Sequence, residues 1–171
     1  MDIRLEKATN ADSQIIFDIQ VNAFLPLLDK YKDYKTNPAN ETIEGVIKRI
    51  NNTNGGFYKI IVDNSNVGAI CIFWKEEVQF WISPMFILSE YQGKGIAQKA
   101  ITLVEEMFPK AISWELAAIL EEKRNCYLYE KMGYKKTGVK KKLNENATLI
   151  FYKKVVGNFS PLSALPVNNT Q

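Results

Sequence analysis

The segment that decides the fold is FILSEYQGKGIA, residues 86–97, which joins a short apolar run to two closely spaced glycines. Ile87 and Leu88 are typical of the end of a buried strand, and Gly93 and Gly95 are typical of a tight loop. Apolar residues then recur at helical spacing at Ile96, Ala97, Ala100, Ile101, Val104 and Phe108. A loop that opens a helix leaves the first backbone N–H groups unpaired, with the positive end of the helix dipole behind them. The segment therefore predicts a binding site for a phosphate or pyrophosphate.

The chain around this loop predicts a single α/β domain of the α+β type, residues 1–155, followed by an uncharged tail, residues 156–171. Apolar runs predict about seven strands, at residues 3–8, 57–62, 67–74, 78–88, 111–118, 134–141 and 148–155. Helical spacing predicts about four helices, within residues 9–26, 38–50, 96–108 and 121–132. The strands before the loop form an antiparallel meander, so we expect a mixed, mostly antiparallel sheet.

Two prolines predict irregularities in these elements. Pro26 is expected to end or kink the first helix, because proline lacks the N–H group that the helical ladder needs. Ser83-Pro84 falls inside the long segment at residues 78–88. Since proline cannot donate to a ladder, we expect a bulge or a break in that strand.

Composition excludes several classes of function. The net charge of +3 is too small to indicate nucleic-acid binding. The lysines at 135–136 and 140–142 fit a solvated hairpin, with a mildly basic patch near an anionic cofactor as the alternative. The chain has no histidine, which excludes a Ser-His-Asp triad and a His-ligated zinc site. Cys71 and Cys126 lack metal-ligand spacing, so we expect buried thiols and no metal. There is no signal-peptide pattern and no apolar run of about 20 residues, so we expect a cytoplasmic protein that does not cross a membrane.

The glycine loop alone does not identify its ligand. The chain lacks the G-x-G-x-x-G of dinucleotide folds and the G-x-x-x-x-G-K-[ST] of P-loops. A second segment, RNCYLYEKMGY at residues 124–134, narrows the choice. Together the two segments resemble the GNAT superfamily of acyl-CoA-dependent N-acyltransferases. QGKGIA at residues 92–97 matches the family's Gln/Arg-x-x-Gly-x-Gly/Ala motif, and LYEKMGY at residues 128–134 is similar to its Leu-Tyr-Glu-Lys-x-Gly-Phe. ILSEY at residues 87–91 is similar to Val-x-Pro-Glu-Tyr, with serine in place of proline.

The resemblance implies that acetyl-CoA is the co-substrate and that it binds where two neighbouring strands splay apart. In this family the coenzyme A pyrophosphate lies on the loop's N–H groups, and the pantetheine pairs with the exposed edge of the preceding strand. These roles fall on Phe86, Ile87, Leu88, Gln92, Gly93, Lys94, Gly95, Ile96 and Ala97. Asn125 lies one helical turn before Tyr129 on the same face, so the resemblance assigns it to the pantetheine arm or the acetyl region.

Tyr129 matches the tyrosine that serves this family as general acid. A phenol placed at the sulfur can give the leaving thiolate a proton or a hydrogen bond. Without the motif, a core aromatic on an amphipathic helix is the simpler interpretation of Tyr129. Glu77 and Glu115 are candidates for the general base, with ordered water as an alternative, and each glutamate also fits an exposed or ion-paired strand position. Neither cysteine shows a sign of activation, so we expect direct transfer without a covalent enzyme intermediate.

The acceptor is expected to be a primary amine on a small molecule or a peptide. Tyr31, Tyr34 and Glu41 lie where the family usually builds its acceptor side, and they are candidate contacts. A catalytically silent module that binds coenzyme A for sensing, or that binds a partner, is an alternative on the same fold. The sequence leaves the choice between a monomer and a homodimer open, because the tail could pack in place or cross to another subunit.

Overall fold

The computed structural model of the protein describes residues 1–156, which form a seven-stranded sheet with helices on both faces. The strands are β1 (Ile3–Lys7), β2 (Gly55–Val62), β3 (Ser65–Lys75), β4 (Gln79–Ile87), β5 (Ser113–Ile119), β6 (Lys135–Lys142) and β7 (Thr148–Val155). The helices are α1 (Ser13–Tyr31), α2 (Ile43–Ile50), α3 (Ile96–Met107) and α4 (Lys123–Lys131). The α/β class and the counts of strands and helices agree with the prediction. Apart from Val156, the predicted tail lies outside the described residues.

The sheet is mixed and mostly antiparallel, as predicted. Its strand order is β1-β2-β3-β4-β5-β7-β6. β1 to β4 form an antiparallel meander, and β5, β7 and β6 form a second antiparallel group. β4 and β5 are the parallel pair between these groups, and α3 supplies the crossover that parallel neighbours need.

The sheet separates two apolar cores. α1 and α2 cover one face, where Ile16, Ile19 and Val46 pack on Phe57 and Phe86 together with Ala8, Ala23, Ile50, Ala69 and Cys71. α3 and α4 cover the other face with a larger core that includes Ile101, Val104, Trp114, Tyr134 and Tyr152. Each fully buried aliphatic or aromatic side chain of this kind contributes about 1.5–3 kcal/mol to folding. The pleat decides which core each strand residue enters, because neighbours along a strand point to opposite faces.

The first helix does not end at Pro26, so that part of the prediction is wrong, and a kink at Pro26 stays a prediction. α1 continues for another five residues to Tyr31 and ends at Lys32, which adopts a left-handed conformation with φ 59°. A proline removes one helical hydrogen bond, and here Leu28 and Tyr31 are buried beyond it and hold the last turn in place. No helix within residues 1–156 is both long enough and apolar enough to cross a membrane.

The second predicted helix is divided in two. Pro38–Asn40 form a separate 3-10 turn, in which the Asn37 Oδ1 accepts a hydrogen bond from the Ala39 N–H at 2.7 Å. α2 begins only at Ile43. Glu41 lies between the two pieces, where its carboxylate is free to bond with side chains of neighbouring helices.

The predicted irregularity at Ser83-Pro84 is confirmed as a bulge. The β3–β4 register moves from Ile72 opposite Ile82 to Ile70 opposite Met85, so β4 carries one extra residue between these pairs. On its other side, β4 pairs with β5 through Gln79, Phe80 and Trp81 and then through no later residue. The two strands therefore diverge after Trp81, and the splay expected from the family resemblance is present.

Candidate functional site

A cavity of about 630 Å³ opens beside the diverging end of β4. One wall comes from α1, through Phe24, Leu27 and Lys30, and the opposite wall comes from the start of α4 and the residue before it, through Glu122, Arg124, Asn125 and Leu128. Met85, Phe86 and Ile87 of β4 lie between these walls, and the glycine loop closes one end. The cavity thus joins the unpaired edge of β4 to the first turn of α3.

The glycine loop has the conformation that an anion site needs. Gly93 and Gly95 have φ values of +77° and +79°, in the left-handed region that glycine adopts without strain. The Gly95 carbonyl accepts the first helical hydrogen bond, from the Lys99 N–H at 3.1 Å, so the N–H groups of residues 96–98 have no partner within the helix. A Cβ atom built on Gly93 would lie 3.0 Å from Arg124 Nη2, so this guanidinium lies over the loop. The loop N–H groups and the Arg124 charge together fit a pyrophosphate.

A side chain of the loop also ties it to the strand. The Gln92 Nε2 donates a hydrogen bond to the Ile87 carbonyl at 2.9 Å. This bond fixes the distance between the last residue of β4 and the glycines, so the strand edge and the anion site are held as one unit. Gln92 therefore has a structural role in addition to its place in the cavity wall.

Tyr129 lies on the α3/α4 side of the sheet, packed against that core, and it is not among the residues that line the cavity. Its ring packs against Tyr152 at 6.0 Å and Tyr134 at 6.4 Å between ring centroids. The hydroxyls of these two neighbours bond to Glu130 and Glu105, whereas the Tyr129 hydroxyl has no hydrogen-bond partner within residues 1–156. Burial raises the pKa of Tyr129 to about 12, so the phenol carries its proton at neutral pH.

Residues 21–134 match the family model described as Acetyltransferase (GNAT) family. The chain belongs to the GNAT acetyltransferase family. No curated protein matches its sequence. Its fold is similar to that of ribosomal-protein-S18-alanine N-acetyltransferase from Escherichia coli, with a TM-score of 0.73, 8% identity, and coverage of 91% of this chain and 94% of that chain.

Two further structures show the same fold at low sequence identity. A GNAT family acetyltransferase from Streptococcus agalactiae has a TM-score of 0.73 and 15% identity, covering 90% of this chain and 95% of that one. Spermidine N-acetyltransferase from Vibrio cholerae, in complex with CoA and spermine, has a TM-score of 0.71 and 15% identity, with 90% and 95% coverage. At these identities the likeness concerns the fold, and the chemistry of this GNAT protein has to be argued from its own residues.

Most residues that the GNAT resemblance assigns to the co-substrate line the cavity. They are Phe86, Ile87, Gln92, Gly93, Gly95, Ile96, Ala97 and Asn125. Leu88 and Lys94 are not part of the cavity wall: Leu88 packs against the α1/α2 core, and the Lys94 Nζ lies 5.5 Å from the Tyr91 ring centroid. The α1 wall was not predicted, although Phe24, Leu27 and Lys30 recur at a spacing of three and form a stripe that could have indicated it.

The structure separates the two candidate bases of this GNAT domain. Glu77 lies in the turn between β3 and β4 with φ 60°, about 13 Å along the strand from Trp81, so it is remote from the diverging strands. Glu115 is the register partner of Trp81, at the point of divergence itself. It is half-buried and forms no salt bridge within the described chain. Glu115 is therefore the candidate base at the divergence, and Glu77 is the candidate remote from it.

The three residues expected on the acceptor side are placed differently from one another. Tyr31 is buried, and its hydroxyl donates to Glu122 Oε1 at 2.7 Å. Tyr34 is exposed in a turn after α1. Glu41 forms a two-pronged ion pair with Arg49, at 2.7 and 2.6 Å, and accepts from Gln20 Nε2 at 2.7 Å. Tyr31 and Glu41 are thus engaged in structural contacts, and only Tyr34 presents a free side chain.

Glu122 joins the two walls of the cavity. Besides the Tyr31 bond, its Oε1 contacts the Lys30 Nζ at 3.0 Å. Burial alone would raise the Glu122 pKa, but the bonds from Tyr31 and Lys30 outweigh it and hold the pKa below its ordinary value. The Asn144 Nδ2 also donates to the Tyr31 carbonyl at 2.8 Å. The end of α1 is therefore attached to the start of α4 and to the β6–β7 loop.

Proposed function

We propose that this GNAT protein transfers an acetyl group from acetyl-CoA to a primary amine. The single observation that carries the proposal is the divergence of β4 and β5 after Trp81, beside a cavity that leads to the glycine loop. An unpaired strand edge that ends at an anion site suits a long, thin ligand with a diphosphate at one end. Membership of the family supports acyl transfer in general.

The residues that would hold the co-substrate follow from the cavity. Backbone N–H groups of residues 93–97 and the Arg124 guanidinium would bind the pyrophosphate. The free edge of β4 at Phe86 and Ile87 would bind the amide groups of the pantetheine arm, with Asn125 facing them from α4. Acetyl-CoA supplies the acetyl group as a thioester, which is already activated toward amines.

Two residues would serve as the general base and the general acid of the reaction. Glu115 would take the proton that the acceptor ammonium has to lose before its nitrogen can attack the acetyl carbonyl. As the new C–N bond forms and the C–S bond breaks, Tyr129 would give the departing sulfur a proton or a hydrogen bond. The raised pKa of Tyr129 suits this role, because the phenol is protonated when the thiolate leaves.

Several structural neighbours carry names that mention amines. They include the spermidine N-acetyltransferase and the ribosomal-protein-S18-alanine N-acetyltransferase described above, together with an aminoglycoside acetyltransferase whose structure contains coenzyme A. These names support an amine acceptor and coenzyme A use, and they leave the class of amine open. An acceptor on either a small molecule or a peptide is compatible with them.

The test is release of free thiol from acetyl-CoA in the presence of a panel of amines. The panel contains monoamines, polyamines, amino acids, an aminoglycoside and short peptides, with matched alcohols as uncharged controls. Amine-dependent thiol release together with a mass gain of one acetyl group on the amine supports the proposal. Tight coenzyme A binding without release with any amine would instead support the silent binding module.

A further inference from the structure

Four residues of neighbouring strands form one row on the α1/α2 face of the sheet. Phe73 of β3 pairs with Trp81 of β4, Trp81 with Glu115 of β5, and Glu115 with Lys153 of β7. Register partners share a face of the sheet, and Phe73 follows Cys71 by two residues on the face that α1 and α2 cover. The two helices do not extend over this row, since Phe73 is 37% exposed and Trp81 and Glu115 are half-buried. The row is thus an open strip beside the point where the strands diverge.

Within the row, Trp81 presents an aromatic surface toward Glu115. The Phe73 and Trp81 rings are stacked, with centroids 5.4 Å apart and planes only 4° from parallel. Phe73 stands on the β3 side and covers one face of the indole, so the other face is turned toward β5 and Glu115. The stacking also holds the indole in a fixed orientation. The aromatic pair and the Glu115 carboxylate are therefore neighbours in the row, on the same face of the sheet.

This combination of groups recognises an ammonium ion. The face of an indole attracts cations, and a carboxylate accepts charge-assisted hydrogen bonds from N–H donors. An anionic group would gain neither interaction, and an uncharged hydroxyl could bond to the carboxylate but would lose the attraction to the indole. The exposed apolar surface of Phe73 beside the indole can in turn cover a short apolar body attached to the ammonium.

The charges beyond Glu115 limit the size of the cation. Lys153 follows Glu115 in the row, and Lys135 of β6 follows Lys153. Of the other β6 lysines, Lys141 lies on the same face, because its register partner Leu149 alternates with Ile150, which enters the opposite core. A ligand with a second or third ammonium that extends toward β7 and β6 would therefore meet like charge, which costs binding energy at these separations.

We infer that Trp81 and Glu115 form the binding site for the amino group of the acceptor, and that the acceptor is a monoamine with an apolar body rather than a polyamine. This inference rests on the proposed function, because the bound amine is an acceptor only if the protein transfers an acetyl group. The Trp81–Glu115 site brings the amine to the place where β4 and β5 diverge, on the opposite face of the sheet from Tyr129. Trp81 acts in positioning, and Glu115 both binds the ammonium and receives its proton.

Binding is tested on the full chain without acetyl-CoA. The probe is 2-phenylethylamine, and its contact with the protein is followed through the indole N–H resonance of Trp81, with the buried Trp114 as internal reference. We expect a saturable shift at Trp81 with 2-phenylethylamine and binding at least about tenfold weaker with 2-phenylethanol, which lacks the charge. Spermidine should bind at least about tenfold more weakly. An equal response to the alcohol, or tighter binding of spermidine, would overturn the inference.

Matched variants test whether Glu115 binds the ammonium group of 2-phenylethylamine. Glu115→Gln keeps the shape of the side chain and should raise the Kd for 2-phenylethylamine about tenfold. Glu77→Gln makes the same change in the β3–β4 turn and should leave the Kd unaltered. If Glu115→Gln binds as the unaltered protein does, the ammonium site is not at Glu115. Thermal unfolding of each variant shows that it is folded.

Turnover measurements separate this inference from the proposed function. For an amine that supports thiol release, Trp81→Leu should raise KM about tenfold with kcat changed less than about threefold. Trp81→Phe keeps an aromatic face, so its KM should lie close to that of the unaltered protein. This variant also replaces Trp81→Leu in the comparison if the leucine variant does not fold. Thiol release with an unchanged KM in both Trp81 variants would refute the Trp81–Glu115 binding site without contradicting the proposed acetyl transfer. Charge-dependent binding at Trp81 without thiol release would refute the proposed acetyl transfer without contradicting the Trp81–Glu115 binding site.

Discussion

Trp81 of β4 and Glu115 of β5 form the last register pair between the two parallel strands. Leu116, the next residue of β5, points to the opposite face and pairs with Tyr152, whose ring lies 6.0 Å from that of Tyr129. The candidate base and the candidate acid therefore approach the diverging strands from opposite faces of the sheet. Such an arrangement lets an acceptor and a thioester meet between them without competing for the same space.

Removing the Tyr129 hydroxyl should slow the reaction without weakening co-substrate binding. We expect Tyr129→Phe to lower kcat about 100-fold, the range of a lost general acid, with the Kd for coenzyme A unchanged. Because the pKa of Tyr129 is raised to about 12, kcat should not fall between pH 8 and pH 10 through loss of this proton. Steady-state rates and a coenzyme A titration measure both quantities.

Tyr152→Phe is the matched control for this substitution. It removes a phenol from the same ring cluster, but that hydroxyl donates to Glu130 at 2.7 Å and belongs to the packing. We expect it to reduce the free energy of unfolding by about 1 kcal/mol and to leave kcat within about threefold. Equal kcat values in the unaltered protein and Tyr129→Phe would remove Tyr129 from the chemistry.

An added methyl group at Gly93 should weaken coenzyme A binding. Gly93→Ala introduces strain at a φ of +77°, about 1–2 kcal/mol, and its Cβ would lie 3.0 Å from Arg124 Nη2, so the guanidinium over the loop has to shift by a few tenths of an ångström. We expect the Kd for coenzyme A to rise at least about tenfold in a calorimetric titration.

Gly138→Ala separates backbone strain from loss of the site. Gly138 has a φ of +92°, with no atom within 4 Å of the added Cβ, and it lies on β6 away from the cavity. The variant should lose a similar amount of stability and keep the Kd for coenzyme A. A parallel loss of coenzyme A affinity in both variants would indicate that strain alone is being measured.

The Glu41–Arg49 ion pair should contribute a pH-dependent stability. Burial by itself would raise the pKa of Glu41, but the bonds and charge of Arg49 and the bond from Gln20 outweigh it, so the pKa lies below its ordinary value. A lowered folded pKa means that the stabilisation is complete above the unfolded pKa and is lost as the pH falls through the folded pKa. Glu41→Gln should therefore reduce the free energy of unfolding by about 1–3 kcal/mol at pH 7, and by progressively less below about pH 4.5.

Urea unfolding of both proteins at several pH values measures this difference. Glu145→Gln, an exposed carboxylate in the β6–β7 loop, is the control and should change the unfolding free energy by less than about 0.5 kcal/mol. A constant difference between Glu41→Gln and the unaltered protein from pH 7 to pH 3 would contradict the assignment of the pH effect to Glu41.

The attachment of α1 to α4 should depend on the Tyr31 hydroxyl. Tyr31→Phe removes the bond to Glu122 Oε1 and should lower the free energy of unfolding by about 1 kcal/mol, with faster amide exchange at the start of α4. Tyr127→Phe alters a tyrosine of α4 that is 69% exposed and should change neither quantity. Unaltered exchange rates in Tyr31→Phe would show that Lys30 suffices to hold Glu122.

Local sequence signals were sufficient for the features that depend on neighbouring residues. The apolar run, the two glycines and the helical spacing after them predicted the loop, and its backbone conformation follows from the need for positive φ at Gly93 and Gly95. Ser83-Pro84 predicted the bulge, because a missing N–H disturbs a ladder wherever it occurs. Pro26 does not end the helix, because burial of Leu28 and Tyr31 outweighs the one hydrogen bond that proline removes from a helix.

The sequence by itself determined the order of the elements, and it predicted the anion site at the start of α3. Only the tertiary structure decided where β4 and β5 part, that α1 supplies a wall of the cavity, and that Glu115 rather than Glu77 stands at the divergence. The physical reason is that the residues that meet at the divergence are far apart in the sequence. Trp81 and Glu115 are brought together by the pairing of two strands that a helical crossover connects. The residue pattern of each strand does not show at which residue the pairing between the two strands ends.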